Sequence, residues 1–461
     1  MDAATPIRPA AESSGMSESA NEAPLAPTPD ELPVVGSAVA FSRDPYGMYR
    51  RFRETGDVVR FSMANYDMAT VLHPEHVEQV LVDDFDAFRK PELTAGVDVL
   101  SEGLLLSDGD RWRAQRTLLQ PMFFRERVAT YADTMSEFAA AAADEWVGQG
   151  ELDVQEATSG YTLRVLGTTL LGVETDSHRD AVRAGAEAIR ARTAQNPVSV
   201  QIPEWVPTPS NRRYRRGVAE FEAAVDDLVA ERRREDGDRD DLLSLLLDAE
   251  YEDGSAPDED EIRSQLTTFL FAGHDTTAVA LTWLLYELGR KPAVAERLRA
   301  EVDDVLDEGR ATLADLPDLA YTEQVVREGL RRYPPATAIF REAREDATVG
   351  GYRIPEGTFV TVPQFVVHRD PRWWDDPEAF DPGRWDGVED PPGDRPEYSY
   401  FPFGGGPRHC IGMRFALLEL KLALATFAAR FEVHHDHDDV GLDLAATYQP
   451  DETIRARFDE R

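Results

Sequence analysis

The chain has 461 residues, with 49 Lys and Arg against 87 Asp and Glu, so its formal net charge is −38. This balance argues against nucleic-acid binding, because that function needs a concentrated basic surface. The acidic residues are spread along the whole chain, whereas an acidic binder of cationic partners predicts a local tract. Acid-rich, lysine-poor surfaces repel themselves, and molar salt screens that repulsion to a Debye length of about 3 Å. We therefore expect a halophilic prokaryote with a cytoplasm of very high ionic strength.

The first elements along the chain are a tail and a small sheet. Residues 1–31 are rich in Ala, Pro, Ser and Glu and lack a basic start followed by an apolar run. This composition predicts a disordered acidic tail with neither a secretory signal nor a membrane anchor. We expect one folded domain over 32–461. Alternating apolar and polar residues at 58–62 and 69–72 predict strands of a small sheet.

Most of the chain between residues 74 and 330 has helical periodicity. Clear examples are 110–119, 137–147, 218–233 and 294–306. The most apolar stretch, 266–288, has ionisable residues at its centre, which favours a buried helix over a membrane span. After Pro334 the pattern changes to short strands and coil, followed by one more helix near 413–431. The predicted fold class is mainly α with small β-sheets, in a single large domain.

Cys410 is the only cysteine of the chain. It therefore excludes an intrachain disulfide and every multi-cysteine metal site. The usual interpretation of a lone cysteine is a small buried hydrophobe. Here it stands in the run Phe-Gly-Gly-Gly-Pro-Arg-His-Cys-Ile-Gly at 403–412. Glycines let a backbone turn beneath a flat ligand and leave amides to bond the sulfur, so the pattern favours a thiolate held close to a large planar group.

This run fits Phe-x-x-Gly-x-Arg-x-Cys-x-Gly at every defined position and resembles the cytochrome P-450 family of haem-thiolate monooxygenases. The resemblance implies the P-450 fold and a haem b (iron protoporphyrin IX) cofactor whose iron is bound by Cys410. It also implies cofactor contacts from Phe403, Arg408 and Gly412, with the arginine meeting a haem propionate. Thiolate ligation favours cleavage of the O–O bond.

A second motif, Ala-Gly-His-Asp-Thr-Thr at 272–277, interrupts the long apolar helix. Glycine and threonine are weak helix formers, and a buried acid is costly without partners. Residues that are unfavourable in a buried helix and occur together indicate a functional site. The alternative is a threonine pair bonded to the preceding turn beside a chance acid. The motif resembles the family's oxygen-binding helix. It implies that Asp275 relays protons, that Thr276 holds water or bound peroxide, and that the helix bulges where Ala272 and Gly273 cover the haem.

Two further patterns resemble structural and haem-binding parts of the family. Glu328 and Arg331 lie three apart on a helix that ends before a Pro-Pro pair, and Arg384 is expected to complete a buried structural triad with them. The alternative is a surface salt bridge of small energy. Trp112 and Arg116 are four apart and share a helix face. They resemble the family's propionate clamp, with an amphipathic helix of exposed arginines as the alternative.

Arg341 matches another propionate ligand of the family. The histidine-rich run at 434–439 could bind metal, but its polar surroundings favour a solvated turn.

The resemblance implies a cytoplasmic monooxygenase that inserts one atom of O2 into a C–H bond of an apolar substrate, of the fatty acid, terpenoid or carotenoid class. The sequence contains no dinucleotide fingerprint and no iron–sulfur cysteines, so electrons are expected from a separate ferredoxin-type donor with its reductase. We expect that donor to dock near Arg408, Arg414 and Lys421. A peroxide-driven haem-thiolate peroxygenase and a non-catalytic haem-binding protein are the alternatives.

Overall fold

The structure is a computed structural model that describes residues 23–31, 36–63, 66–91, 98–193, 205–234, 239–387, 394–444 and 447–461. Its contacts divide the chain into two compact units. The first contains Met1–Glu92, Ala338–Asp375 and Gly393–Cys410. The second contains Leu93–Thr337, Asp376–Pro392 and Ile411–Arg461. The larger part of the predicted tail, residues 1–22, lies outside the described residues.

Helices dominate the described chain and the strands are short, which confirms the predicted mainly helical class with small sheets. The helices are α1 Ala38–Arg43, α2 Pro45–Thr55, α3 Pro74–Glu78, α4 Gly109–Leu119, α5 Arg125–Ala129, α6 Ala132–Trp146, α7 Val154–Leu166, α8 Arg179–Thr193, α9 Pro209–Arg234, α10 Leu242–Leu247, α11 Glu259–Arg290, α12 Pro292–Val305, α13 Ala320–Arg332, α14 Gln364–Val367 and α15 Met413–Arg430. The strands are β1 Val58–Met63, β2 Tyr66–Val71, β3 Phe88–Arg89, β4 Glu151–Asp153, β5 Ile339–Ala343, β6 Ala347–Val349, β7 Tyr352–Ile354, β8 Phe359–Val362, β9 Phe431–His434, β10 Leu442–Leu444, β11 Tyr448–Pro450 and β12 Arg455–Glu460.

The first unit is built on a five-stranded sheet in the order β1-β2-β8-β5-β3. The β1 and β2 strands are antiparallel, with Val58 opposite Val71, and β8 joins β2 in parallel. Small and β-branched side chains from these strands are fully buried, which is what a pleated surface with one covered face selects. Phe401, which precedes the cysteine loop, packs in the same buried cluster as these strands.

Residues 23–31, which the sequence places in the tail, are hydrogen-bonded to the first unit. The carbonyl of Pro24 accepts from the Arg353 amide at 2.8 Å, and the carbonyl of Pro27 accepts from the Arg60 amide at 2.9 Å. Both Ser62 groups, the amide and the hydroxyl, donate to the Glu31 carboxylate at 2.9 Å. The ordered chain therefore begins before residue 32.

The second unit contains α11, a 32-residue helix. The acidic residues of its first turn interact favourably with the helix dipole. The Asp258 side chain caps the helix by accepting a hydrogen bond from the Glu261 amide at 2.8 Å, which has no partner within the helix. Nearly every side chain in its middle is buried, as expected of a helix that is apolar all round and enclosed by other helices. None of the helices within the described ranges combines the length and apolarity needed to cross a lipid bilayer.

The Glu328 carboxylate on α13 is fully buried and accepts five hydrogen bonds. The Arg331 guanidinium donates two of them, at 2.8 and 2.9 Å. The Arg384 Nε donates at 3.1 Å, the Asp381 amide at 2.9 Å and the Trp385 indole at 3.0 Å. The three residues of the predicted triad thus lie together, joined by two further donors from the same loop.

Arg331 uses its remaining donors on the same loop. Its Nη1 donates to the Pro377 carbonyl and its Nη2 to the Ala379 carbonyl, both at 3.0 Å. A buried charge is tolerated only when such bonds replace its hydration. The ion pair therefore fixes the loop of residues 376–385 to the end of α13.

We expect Glu328→Gln to destabilise the protein by roughly 3–5 kcal/mol, because it leaves buried guanidinium charge uncompensated. The matched control is Glu323→Gln on the same helix, whose half-exposed carboxylate pairs with Arg327 and Lys421. That change should cost about 1 kcal/mol or less. Urea unfolding of the two variants measures the difference, and equal losses would contradict the structural role of Glu328.

A second buried acid, Glu419, lies on α15 with 1% of its surface exposed. Burial raises the pKa of Glu419 well above its ordinary value. The folded protein therefore keeps it neutral to a higher pH than the unfolded chain, which ionises it above about pH 4.3. The stability that this group contributes is present below that pH and falls as pH rises towards the folded-state pKa.

Glu419→Gln should consequently gain stability relative to the wild type as pH rises from 5 to 8. The relative gain should exceed about 1.4 kcal/mol, the value of one pKa unit. Denaturant unfolding at both pH values measures it, with the exposed Glu308→Gln as the control for removing a carboxyl group. A difference between variant and wild type that is the same at both pH values would rule out a neutral Glu419.

Candidate functional site

In the first unit, two fully buried side chains hold the backbone that leads into the cysteine loop. The Gln364 amide on α14 donates to the Phe401 carbonyl at 2.5 Å. The Phe401 amide donates to Nε2 of His368 at 2.9 Å. Because both backbone groups of one residue are bonded, the chain enters the loop in a fixed direction.

The loop itself depends on glycines. Gly404 and Gly406 have φ angles of +74° and +64°, in the left-handed region that favours glycine. A Cβ at Gly406 would collide with the Leu81 carbonyl, so no other residue fits there without a shift. The Cys410 amide donates to the Phe403 carbonyl at 2.8 Å and closes the loop, and the Cys410 side chain is exposed at its end.

Two arginines predicted to bind propionates belong to the same unit as Cys410. Arg341 lies on β5, is 3% exposed, and donates to the neighbouring Phe340 carbonyl at 2.9 Å. Arg408 is half-buried in the short turn Gly406–Arg408. The next residue, His409, places its Nδ1 2.9 Å from the Gly406 carbonyl. Its ring therefore bonds to the loop backbone.

The predicted clamp on α4 belongs to the second unit. Trp112 and Arg116 are 5% and 8% exposed, whereas Arg111 and Arg113, on either side of the tryptophan, are exposed. The helix is therefore amphipathic, with Arg116 on the buried face beside the tryptophan. Gly412, also in this unit, immediately precedes α15.

The motif at 272–277 lies in the middle of α11. Ala272 and Thr276 are half-buried one turn apart, while His274, Asp275 and Thr277 are buried. The Thr276 hydroxyl donates to the Ala272 carbonyl at 2.7 Å. The segment is α-helical without interruption, so this side-chain bond is found in place of the predicted bulge at Ala272 and Gly273.

The Asp275 carboxylate is bonded from two separate elements. Arg190 on α8 donates to its Oδ1, and Thr447 donates to its Oδ2 at 3.1 Å. These bonds offset the desolvation of an acid that is 5% exposed. Neither partner was identified from the sequence, because they lie 85 and 172 residues away along the chain and carry no local motif.

His274, the other titratable group of the motif, is turned back along its own helix. Its Nδ1 bonds to the Leu270 carbonyl. Burial lowers the pKa of His274, and this effect outweighs the opposite influence of the Asp275 charge. The histidine is therefore neutral at pH 7, and Asp275 is the acidic group of the motif.

The histidine-rich run at 434–439 is occupied by local contacts. His435 stacks on Tyr286 and its Nε2 bonds to the Tyr286 carbonyl at 2.9 Å, while His437 pairs with Glu452 at 3.0 Å. Within the described part of the chain, no group of three or more His, Cys, Asp or Glu side chains could hold a metal ion.

Each unit, taken by itself, holds side chains of the kinds that bind haem. The Cys410 sulfur, at the end of a glycine-shaped loop in the first unit, would suit the role of an iron ligand. The buried guanidinium groups of Arg116 and Arg341 suit carboxylates, which the propionates supply. The threonine and carboxylate of α11 add an alcohol and an acid.

Comparisons with known proteins agree with this interpretation. Residues 26–447 match the model of the Cytochrome P450 family. Among relatives, "Cyclooctat-9-en-7-ol 5-monooxygenase" of Streptomyces melanosporofaciens is 34% identical over 88% of this chain and 88% of its own. "Pentalenene oxygenase" of Streptomyces avermitilis is 33% identical over 94% of this chain and 97% of its own.

A solved structure, "Retinoic acid bound cyanobacterial CYP120A1", matches with a TM-score of 0.83 at 23% identity. The match covers 95% of this chain and 100% of that one, and it confirms the predicted fold class. The chain therefore belongs to the cytochrome P450 family, and it is a monooxygenase whose cofactor is haem b.

Proposed function

We propose that this monooxygenase inserts one oxygen atom of O2 into a C–H bond of a terpenoid. The observation that supports this proposal is that α11 presents a buried acid, Asp275, next to a half-buried alcohol, Thr276, because oxygen insertion consumes protons. Two relatives support the substrate class, because their names specify pentalenene and cyclooctat-9-en-7-ol. Of the three apolar classes that the sequence suggests, the terpenoids are thus favoured.

Cys410 is the proposed iron ligand, and Arg116, Arg341, Arg408 and Trp112 are the proposed partners of the propionates. When bound, the haem activates O2, and the thiolate ligand favours cleavage of the O–O bond. The backbone bond from Cys410 to Phe403 holds the sulfur at the end of its loop. Phe403 and Gly412 flank that loop on either side.

Thr276 and Asp275 handle protons. A hydroxyl has one proton to donate, and that of Thr276 is used on the Ala272 carbonyl, so its oxygen accepts a bond from a water. Asp275 exchanges protons through a carboxylate that Arg190 and Thr447 hold in place. In this proposal the water at Thr276 Oγ1 carries the proton from the Asp275 carboxylate to the place of reaction.

For electron delivery we propose a ferredoxin-type donor with its reductase. Arg414, at the start of α15, is exposed and offers a positive docking group. Lys421 contributes less than the sequence suggests, because its Nζ pairs with Glu323 at 3.2 Å. The net charge of −38 further supports a setting of high ionic strength, where only charges in direct contact escape screening.

The substrate class is tested with a panel of terpenes, fatty acids and carotenoids added to the ferric protein. We expect polycyclic terpenes to displace the iron-bound water and to shift the Soret band at micromolar concentration. The reference ligand is a terpene alcohol of matched size, which separates shape from polarity. A shift with fatty acids alone, or with no apolar ligand, would overturn the proposed class.

The two proposed site residues should have separable phenotypes. Cys410→Ser should abolish the red-shifted Soret band of the reduced carbon monoxide complex, because the thiolate is lost. Thr276→Ala should keep that band and lower the product formed per NADH by about a hundredfold, the lower end of the usual range for a proton-transfer group. The matched control is Thr277→Ala, whose buried hydroxyl bonds to the Gly273 carbonyl at 3.2 Å. Equal uncoupling by both alanine variants, or rapid turnover with hydrogen peroxide alone, would refute the role of Thr276.

A further inference from the structure

Asp275 stands at the inner end of a chain of side-chain hydrogen bonds that leads away from α11. Its Oδ2 accepts from Thr447, whose Oγ1 accepts from the Gln449 amide at 2.7 Å. The Gln449 Oε1 accepts in turn from the side-chain amide of Gln155. Thr447 and Gln449 are 4% and 7% exposed, and Gln155, near the start of α7, is half-buried. A buried acid is thus connected to the solvent boundary by three polar side chains.

The inner carboxylate sets the direction of every bond in this chain. An ionised carboxylate only accepts, so the single hydroxyl proton of Thr447 is committed to Asp275. The Thr447 oxygen can then only accept, and the group that donates to it is the NH2 of Gln449. The carbonyl end of Gln449 consequently faces Gln155, which donates. The whole chain stabilises one orientation of the Thr447 hydroxyl.

The backbone around Thr447 is fixed as firmly as its hydroxyl. Thr447 forms an antiparallel bridge with Ala336. The next residue, Tyr448, donates its amide to the Pro335 carbonyl at 2.9 Å and accepts from the Trp283 indole at 2.8 Å. Trp283 lies on α11, two turns beyond Asp275. The bond to Trp283 ties this backbone to α11, the helix that carries Asp275. The Thr447 hydroxyl is therefore held at a set distance from the Asp275 carboxylate.

We infer that Thr447 is a positioning residue for the proton-handling carboxylate, and that Gln449 and Gln155 orient its hydroxyl. The inference rests on the proposed function of Asp275. Thr447 holds Oδ2, so the carboxylate cannot rotate about its Cβ–Cγ bond while Arg190 engages Oδ1. Without the hydroxyl, Oδ2 loses its donor, and the acid occupies orientations from which protons reach the water at Thr276 less often.

The test compares Thr447→Val, which keeps the volume and removes the donor, with Thr447→Ser, which keeps the donor. In the haem-loaded enzyme with ferredoxin and reductase, Thr447→Val should lower product formed per NADH consumed by roughly tenfold, the scale of losing one hydrogen bond to a charged group. It should also enlarge the solvent deuterium isotope effect. Thr447→Ser should restore both. If Ser behaves as Val does, hairpin packing and not the hydroxyl is responsible, and the inference is wrong.

Infrared spectroscopy reads the contact without catalysis. The carboxylate band of Asp275 is identified as the difference between the wild type and Asp275→Asn. Thr447→Val should shift this band and Thr447→Ser should leave it in place. An unmoved band in Thr447→Val overturns the inference. The infrared measurement needs no substrate, so it tests the role of Thr447 even if the enzyme oxidises no terpenoid. A failure to oxidise terpenoids would refute the proposed function and not the contact between Thr447 and Asp275.

A double-mutant cycle separates positioning through Asp275 from a direct effect on substrate. On the Asp275→Asn background, Thr447→Val should lower coupling no further, because the carboxylate on which it acts is gone. A full, additive loss on that background shows an independent role and overturns the inference. Gln449→Leu should reproduce only part of the Thr447→Val effect. The Thr447 hydroxyl then loses the amide that orients it but can still donate to Asp275.

Discussion

The buried Glu328 carboxylate is the constraint on which the second unit depends. Its two oxygens accept five hydrogen bonds, two of them from Arg331 and three from the loop of residues 376–385. Each of these bonds replaces a bond to water, so the ion pair is stable only while the helix end and the loop keep this arrangement. A local Glu-x-x-Arg sequence on α13 thereby fixes the position of a loop that is about 50 residues away along the chain.

Three buried carboxyl groups of this chain avoid the cost of an isolated charge in three different ways. Glu328 is surrounded by donors. Glu419 stays protonated, since burial raises the pKa of its carboxyl group. Asp275 is held by one donor on each oxygen, from α8 and from the segment that precedes β11. Asp275, which has only one donor on each oxygen, is the carboxylate to which we assign proton exchange in the proposed function, whereas Glu328 and Glu419 have structural roles.

The sequence predicts most of what depends on local spacing. The glycine pattern before Cys410, the Glu-x-x-Arg turn and the polar interruption of α11 are short motifs, and each lies in the element expected for it. The sequence does not predict partners that tertiary folding brings from far away. Arg190, Thr447, Gln364 and His368 have ordinary local surroundings, and only the folded chain shows which backbone or carboxylate they bond. The bulge expected in α11 is absent for a different, local reason, because the Thr276 side-chain bond to the Ala272 carbonyl accommodates the motif within a regular helix.

Cys410 is the only thiol of the chain, and this has a consequence for the lifetime of the protein. A sulfur oxidised to sulfenic acid is normally rescued by a nearby thiol that resolves it as a disulfide. This chain contains no second thiol, so recovery depends on small thiols from outside. Further oxidation to the sulfinic or sulfonic acid is permanent and would remove the proposed iron ligand. Every turnover that releases oxidant instead of product would therefore threaten the one sulfur that the chain cannot repair, and the proposed proton delivery would protect the enzyme as well as its yield.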